Sequence, residues 1–218
     1  MSKHQAIITT IIPVKPFSEA KTRLSPVLTI NERANLSRYL FLRTLKIVIP
    51  ISNVIVVSRS KTILRLAEEK GAWPIPEPNN NLNEAIQLGL AHAKKKASSG
   101  YLILPTDLPC LNSKALAKLM AIGLGETPQV VITPCQQESG TNALFLNPAD
   151  IIPPRFGPNS FTKHTIEAKQ RGVPLHIHRS PDLAFDLDTP KNWQQFVDMM
   201  PTDFSPEWYQ IAMSNVSS

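Results

Sequence analysis

Three sets of residues in this chain have the types and spacing to do chemistry. The first is a trio of carboxylates. The apolar run Tyr101-Leu102-Ile103-Leu104 climbs through Pro105-Thr106 to Asp107 and stops at Leu108-Pro109. A strand that ends on an Asp delivers it to the carboxyl edge of a sheet, where open α/β folds bind ligands. Much later come Asp186 and Asp188, two residues apart in Phe185-Asp186-Leu187-Asp188. In an extended segment that spacing puts both on one face, about 6–7 Å apart along the chain. Three carboxylates from two segments suit magnesium, which takes a few carboxylates, several waters and substrate phosphates. Asp188 precedes Thr189-Pro190 and reads equally well as the cap of a last helix, and the two roles can coexist.

The second set is cationic: Lys15, Lys21 and Arg23, in the loop that follows the apolar residues 6–14. Phosphates bind after a first strand in nucleotide-binding α/β folds. Neither a G-x-x-x-x-G-K-[ST] nor a G-x-G-x-x-G pattern occurs, so charge rather than bare backbone would have to hold them. A solvated loop would read the same way. The third set is Ser139-Gly140-Thr141-Asn142 together with residues 155–164. Gly140 and Gly157 permit close approach of backbone to a ligand. Thr141, Asn142 and Ser160 offer neutral hydrogen bonds, and a helix starting near Ser160 would turn its first amides into an anion site. Spacing alone describes two ordinary turns equally well. His176 and His178, alternating on one strand face, and Cys110, with no His-Asp partners, are weaker candidates. Trp73, Trp193 and Trp208 read as packing residues.

The elements that must position these sets follow from hydrophobic period and punctuation. Strands are expected over residues 6–14, 53–58, 72–76, 101–105, 130–134, 142–146 and 173–179. The prolines of the third favour a sheet edge. Helices are expected from residue 29, capped by Thr29 with Glu32 three residues on. Others cover residues 61–70, 84–97, 113–121 with Ser113 as cap, and 162–171, and a last one starts at Thr189-Pro190. Strands alternate with helices early and pair off late. That pattern gives an α/β fold with a mixed, mostly parallel, Rossmann-like sheet. A single domain over residues 1–200 with a tail over 201–218 is expected.

Composition bounds the rest. With 218 residues, 18% charged and 42% hydrophobic, the chain is long enough for a buried core and is not a disordered one. The net charge of +6 is compatible with nucleotides or phosphorylated metabolites, or simply with solubility. The charge is scattered and aromatics are few, so no stable nucleic-acid partner is expected. Two cysteines far apart argue against a disulfide framework or a zinc site. No apolar stretch is long enough for a membrane span, and no secretory leader is visible. A cytoplasmic protein is expected.

Five segments, in order, resemble one family. Pro13-Val14-Lys15 with Ala20-Lys21-Thr22-Arg23-Leu24 is similar to its opening motif P-V-K-x-x-x-x-A-K-[ST]-R-L, and Leu104-Pro105-Thr106-Asp107-Leu108-Pro109 to its L-P-x-D-L-P turn. Gly140-Thr141-Asn142-Ala143-Leu144, Phe156-Gly157-Pro158-Asn159-Ser160-Phe161 with His164, and Asp186-Leu187-Asp188-Thr189-Pro190 complete the set. The chain from about Ile12 to Trp193 thus resembles the 2-phospho-L-lactate (or phosphoenolpyruvate) guanylyltransferases of coenzyme F-420 biosynthesis.

The resemblance implies a nucleotidyltransferase fold of the glycosyltransferase-A type. It implies transfer of GMP from GTP to the phosphate of a small acid, with release of pyrophosphate and dependence on Mg2+. By motif match, Asp107, Asp186 and Asp188 would be the metal ligands. Lys15, Lys21 and Arg23 would hold the triphosphate, with Lys15, Arg23 and Asp107 the catalytic set. Thr141 or Asn142, Gly157 and Ser160 would hold the acid. Guanine would be read around residues 77–83, with Asn83 assigned to the nucleotide by position. Asn79-Asn80-Asn81 stands where the family has a Gly-rich turn. Some members carry Thr at the place of Asn142, which leaves phosphoenolpyruvate, 2-phospho-L-lactate and 3-phosphoglycerate open as the acid. A downstream transferase that accepts the labile product would be a partner. The alternatives are another nucleotidyltransferase of this fold, cytidylyl- or molybdenum-cofactor guanylyl-transferring, and a non-catalytic nucleotide-binding module.

Overall fold

The structure is a computed structural model, described here for residues 7–96, 98–125 and 127–199. Seven strands form one sheet: β1 (Ile8–Pro13), β2 (Asn53–Ser58), β3 (Trp73–Pro76), β4 (Gly100–Ile103), β5 (Gln129–Pro134), β6 (Thr141–Asn147) and β7 (Leu175–Ile177). Their order is β3-β2-β1-β4-β6-β5-β7. The pairs β3/β2, β2/β1, β1/β4 and β5/β7 are parallel, whereas β6 runs antiparallel to both β4 and β5. The mixed, mostly parallel sheet is therefore as expected, and proline-rich β3 does lie at an edge. The tail beyond residue 200 lies outside the described residues.

Both faces of the five inner strands are buried, which is why those strands read as near-continuous apolar runs. Alternate residues feed two cores. Ile8, Ile12, Val54, Val56 and Leu102 face one, and Ile11, Ile55, Val57, Tyr101 and Ile103 face the other. Packing against Phe145 is close enough to dictate glycine at both Gly100 and Gly123. A Cβ on Gly123 would stand 2.2 Å from the Phe145 ring.

Helices α1 (Ile30–Val48), α2 (Lys61–Glu69), α3 (Leu82–Lys94), α4 (Ser113–Gly123), α5 (Ser160–Gln170), a single turn α6 (Pro181–Ala184) and α7 (Pro190–Met199) complete the fold. Thr29 and Glu32 form the reciprocal capping box expected of α1. The cap of α4 is Asn112, whose side chain accepts from the Ala115 amide, so Ser113 is the first helical residue rather than the cap. β7 is shorter than expected. Pro174 has no amide hydrogen to give the ladder, and only its carbonyl joins, by accepting from Val130 N.

Candidate active site

β1 has β2 on one side and β4 on the other, so the chain changes winding direction between β1 and β4. In open α/β sheets the crevice at the carboxyl ends of such strands is the ligand site. The cationic loop leaves the end of β1 and Asp107 follows β4. Because β6 is antiparallel, its beginning, Thr141 and Asn142, lies at the same edge.

Apolar neighbours fix the charged residues there. The loop after β1 winds into two short 3-10 turns, Phe17–Glu19 and Thr22–Leu24. Leu24 is fully buried in a cluster with Leu28, Leu36, Leu40, Leu187 and Trp193. Leu187 is the residue between Asp186 and Asp188, so burying the two leucines together draws Arg23 and the aspartates into one place. Residues 185–188 form no strand, yet Phe185 and Leu187 are buried while Asp186 and Asp188 face the other way. The same-face spacing thus holds without a ladder. Leu187 N donates to the carbonyl of Asp107 at 2.9 Å, which pins the late segment to the turn after β4.

Cations meet these carboxylates. Lys21 Nζ lies 3.3 Å from Asp107 Oδ2, and its side chain is only 9% exposed. Its backbone sits at φ 56°, in the left-handed region that a lysine rarely occupies. Arg23 Nη1 lies 3.0 Å from Asp188 Oδ2, but with the arginine side chain 73% exposed the pair is screened by water. Burial, and then the negative charges of Asp107 and Asp188, raise the proton affinity of Asp186, with Lys21 opposing them. Among the described residues no three Asp, Glu, His or Cys side chains are placed so as to hold a metal ion. Lys15 is exposed and has no hydrogen bond or ion pair among the described residues. The cap of α7 is not Asp188: Thr189 Oγ1 accepts from Asn192 N, and Asn192 Oδ1 accepts from Thr189 N.

The neutral set also assembles. Ser160 opens α5, two residues earlier than expected, and its Oγ accepts from Thr141 N at 2.9 Å. Gly157, at φ +115°, turns the chain into that helix through a conformation side chains resist. Asn142 is braced rather than open. Its Nδ2 donates to the carbonyls of Leu183 and Ala184, at 2.9 Å each, immediately before the Asp186 segment. Asn83 is likewise engaged: its amide donates to Phe156 O at 3.1 Å and accepts from Phe156 N at 2.8 Å. The residue assigned to the nucleotide by position thus uses both ends of its amide to tie α3 to the Gly157 loop.

His164, known from the sequence only as part of a motif, is fully buried beside this set. Its i, i+4 relation to Ser160 places both on one face of α5, and that spacing was the available signal. Its Nδ1 lies 3.0 Å from Thr141 Oγ1, and its Nε2 accepts from Arg155 N at 2.8 Å.

Solved nucleotidyltransferases share this fold. A nucleotidyl transferase from Methanothermobacter thermautotroptrophicus superposes with a TM-score of 0.64 at 13% identity, over 88% of this chain and 96% of that one. CMP:2-keto-3-deoxy-manno-octonic acid synthetase superposes with 0.59 at 11% identity, over 91% and 100%. Within that class the sequence is more specific. Residues 8–200 match the model of the family described as "Guanylyl transferase CofC like", and the chain belongs to that family. Relatives include the phosphoenolpyruvate guanylyltransferases of Rubrobacter xylanophilus (36% identical over 84% of this chain and 89% of that protein) and Sphaerobacter thermophilus (34% over 90% and 96%). The 2-phospho-L-lactate guanylyltransferase of Methanocaldococcus infernus is 33% identical over 84% and 81%.

Proposed function

We propose that the protein moves GMP from GTP to the phosphate of a small phosphorylated carboxylic acid and releases pyrophosphate, as a step of coenzyme F-420 biosynthesis. Family membership supports the activity. The observation that carries the chemistry is the hydrogen bond from Leu187 N to Asp107 O. It joins the two carboxylate segments beneath the cationic loop.

The nucleophile is a phosphate oxygen of the acid. A phosphate monoester is largely dianionic at neutral pH, with a second pKa of about 6, so no general base is required. That oxygen attacks the α-phosphorus of GTP, the bond to the bridging oxygen of the β-phosphate breaks, and the electron pair leaves on pyrophosphate. The obstacle is bringing two polyanions together. Lys15, Lys21 and Arg23 meet the triphosphate and stabilise charge on the leaving group. Loss of one such preorganised charge costs roughly 2.7–4 kcal/mol of barrier. Thr141, Ser160 and the backbone at Gly157 hold the acid, while Asn142 and Asn83 brace the walls on either side. The side chains are not gathered into a metal-holding group, but the chemistry of the donors, three carboxylates from two segments, suits magnesium. A half-buried carboxyl beside two like charges, as Asp186 is, has the chemistry of a cation ligand. Asp107, Asp186 and Asp188 would hold the ion, in exchange for the bonds to Lys21 and Arg23. Bound there, magnesium would neutralise phosphate charge and polarise the α-phosphoryl group.

The test is pyrophosphate release from GTP with phosphoenolpyruvate, 2-phospho-L-lactate and 3-phosphoglycerate side by side, each with and without Mg2+, and with a downstream transferase to trap the labile product. Release that needs both the acid and the metal is expected. Release with CTP and not with GTP would overturn the reading.

A further inference from the structure

The hydrogen bonds around His164 have a direction, and it determines what the acid pocket can bind. The Arg155 amide can only donate, so its 2.8 Å bond to Nε2 makes that nitrogen an acceptor. Burial holds the ring neutral, with its proton affinity lowered to about 4. A neutral imidazole carries one N–H, which must then be on Nδ1 and must donate to Thr141 Oγ1, 3.0 Å away. The Thr141 oxygen is thereby an acceptor, and its own hydrogen is left to donate. Ser160 is in the same state. Its Oγ accepts from the Thr141 amide at 2.9 Å, so its hydroxyl hydrogen also remains to be given. Thr141 is 6% exposed and Ser160 2%, and among the described residues neither hydroxyl hydrogen has an acceptor.

We propose that His164 is a positioning residue that locks the Thr141 hydroxyl, beside that of Ser160, as an outward donor pair for an anionic oxygen of the acid. Two buried hydroxyls are usually free to rotate, each offering a lone pair or a proton. Here the backbone of Arg155 acts through the imidazole, and the backbone of Thr141 acts directly, so that each hydroxyl oxygen already accepts one bond and keeps its proton to give. Two protons still to be given side by side are matched best by an acceptor, a carboxylate or phosphate oxygen. A neutral hydroxyl in its place would gain less. His164 touches no substrate, and its effect passes through Thr141. The inference rests on the acid-binding role proposed above for Thr141 and Ser160.

Two measurements test it. The first needs no variant. Two-bond proton–nitrogen spectra of the intact protein labelled at histidine nitrogen should show His164 protonated on Nδ1 and bare on Nε2. The opposite tautomer would overturn the proposal.

The second is kinetic. His164→Asn can keep a donor at the place of Nδ1, whereas His164→Gln keeps an acceptor at the place of Nε2 and loses the donor to Thr141. Both disturb a buried bond. Only His164→Gln should raise the KM for the acid, by about tenfold or more, the scale of a hydrogen bond to a charged group. The KM for GTP should stay unchanged in both. Thr141→Val should raise the acid KM similarly, and adding His164→Gln to it should do nothing further. Equal effects of Asn and Gln, a matching rise in the KM for GTP, or additive effects in the double variant would reduce His164 to a packing role. If the wild-type protein shows no acid-dependent pyrophosphate release, the functional reading fails, and the donor pair's role fails with it. If the wild type is active, only the His164 results decide.

Discussion

Single residues in this site are defined by their neighbours' hydrogen bonds as much as by their own type. Asp107, Asp186, Asp188 and the cations from Lys15 to Arg23 could be picked out of the sequence because charge at the end of an apolar run is conspicuous. The amides could not be read the same way. Asn83 and Asn142 have the chemistry of ligands, but each satisfies backbone across more than 40 positions of sequence, and no local pattern shows that. His164 was visible only as a motif member. Its burial makes one consequence measurable in stability. The folded state holds the ring neutral down to about pH 4, while an unfolded chain takes up the proton near 6.5. The native state therefore binds fewer protons in that window. The stability contributed by the neutral ring is fully present above 6.5 and is lost as pH falls toward 4, by about 3 kcal/mol at the lower end. Urea unfolding at neutral and at acid pH should show a larger loss in the wild type than in His164→Asn. Equal losses would mean that the ring is not held neutral.

Elements bring these residues together through apolar contacts that flank the charges. Leu24 and Leu187 share one small buried cluster, and each sits next to the charged groups that meet above it. Leu187→Ala should cost roughly 2–5 kcal/mol of stability, as buried Leu→Ala changes do. It should also lower kcat, because it loosens Asp186 and Asp188. Leu119→Ala, in the core beneath α4, should cost a similar amount and leave kcat unchanged. If both variants lowered kcat alike under conditions where both are folded, the cluster would have no special part in holding the carboxylates. The elements were largely legible, because hydrophobic period is a local property. Errors fell where a neighbouring side chain decides the boundary. Asn112 outcompetes Ser113 as cap because its amide oxygen reaches the Ala115 N–H, and Pro174 trims β7. Asp188 is not spent on the cap, because Thr189 and Asn192 cap α7 between themselves.

At the scale of the whole molecule, the sheet order makes the site. β1 stands at the reversal of winding, and β6 enters antiparallel between β4 and β5, which carries Thr141 to the edge where Asp107 lies. The class of fold followed from the alternation of strands and helices. The insertion of β6 did not, because strand order depends on pairings between distant segments. Among the described residues no helix is long and apolar enough to cross a membrane. The net charge of +6 suits a protein that must gather two polyanions. The reaction proposed for this crevice joins the α-phosphate of GTP to the phosphate of an acid. It is tested most directly by following two labels, one on the α- and one on the γ-phosphorus of GTP, in the wild type and in Asp107→Asn. The α label should appear in an acid–GMP conjugate and the γ label in pyrophosphate, with Asp107→Asn folded and slower by about a hundredfold or more. An α label that stays in GDP, or an Asp107→Asn variant as fast as the wild type, would contradict the account.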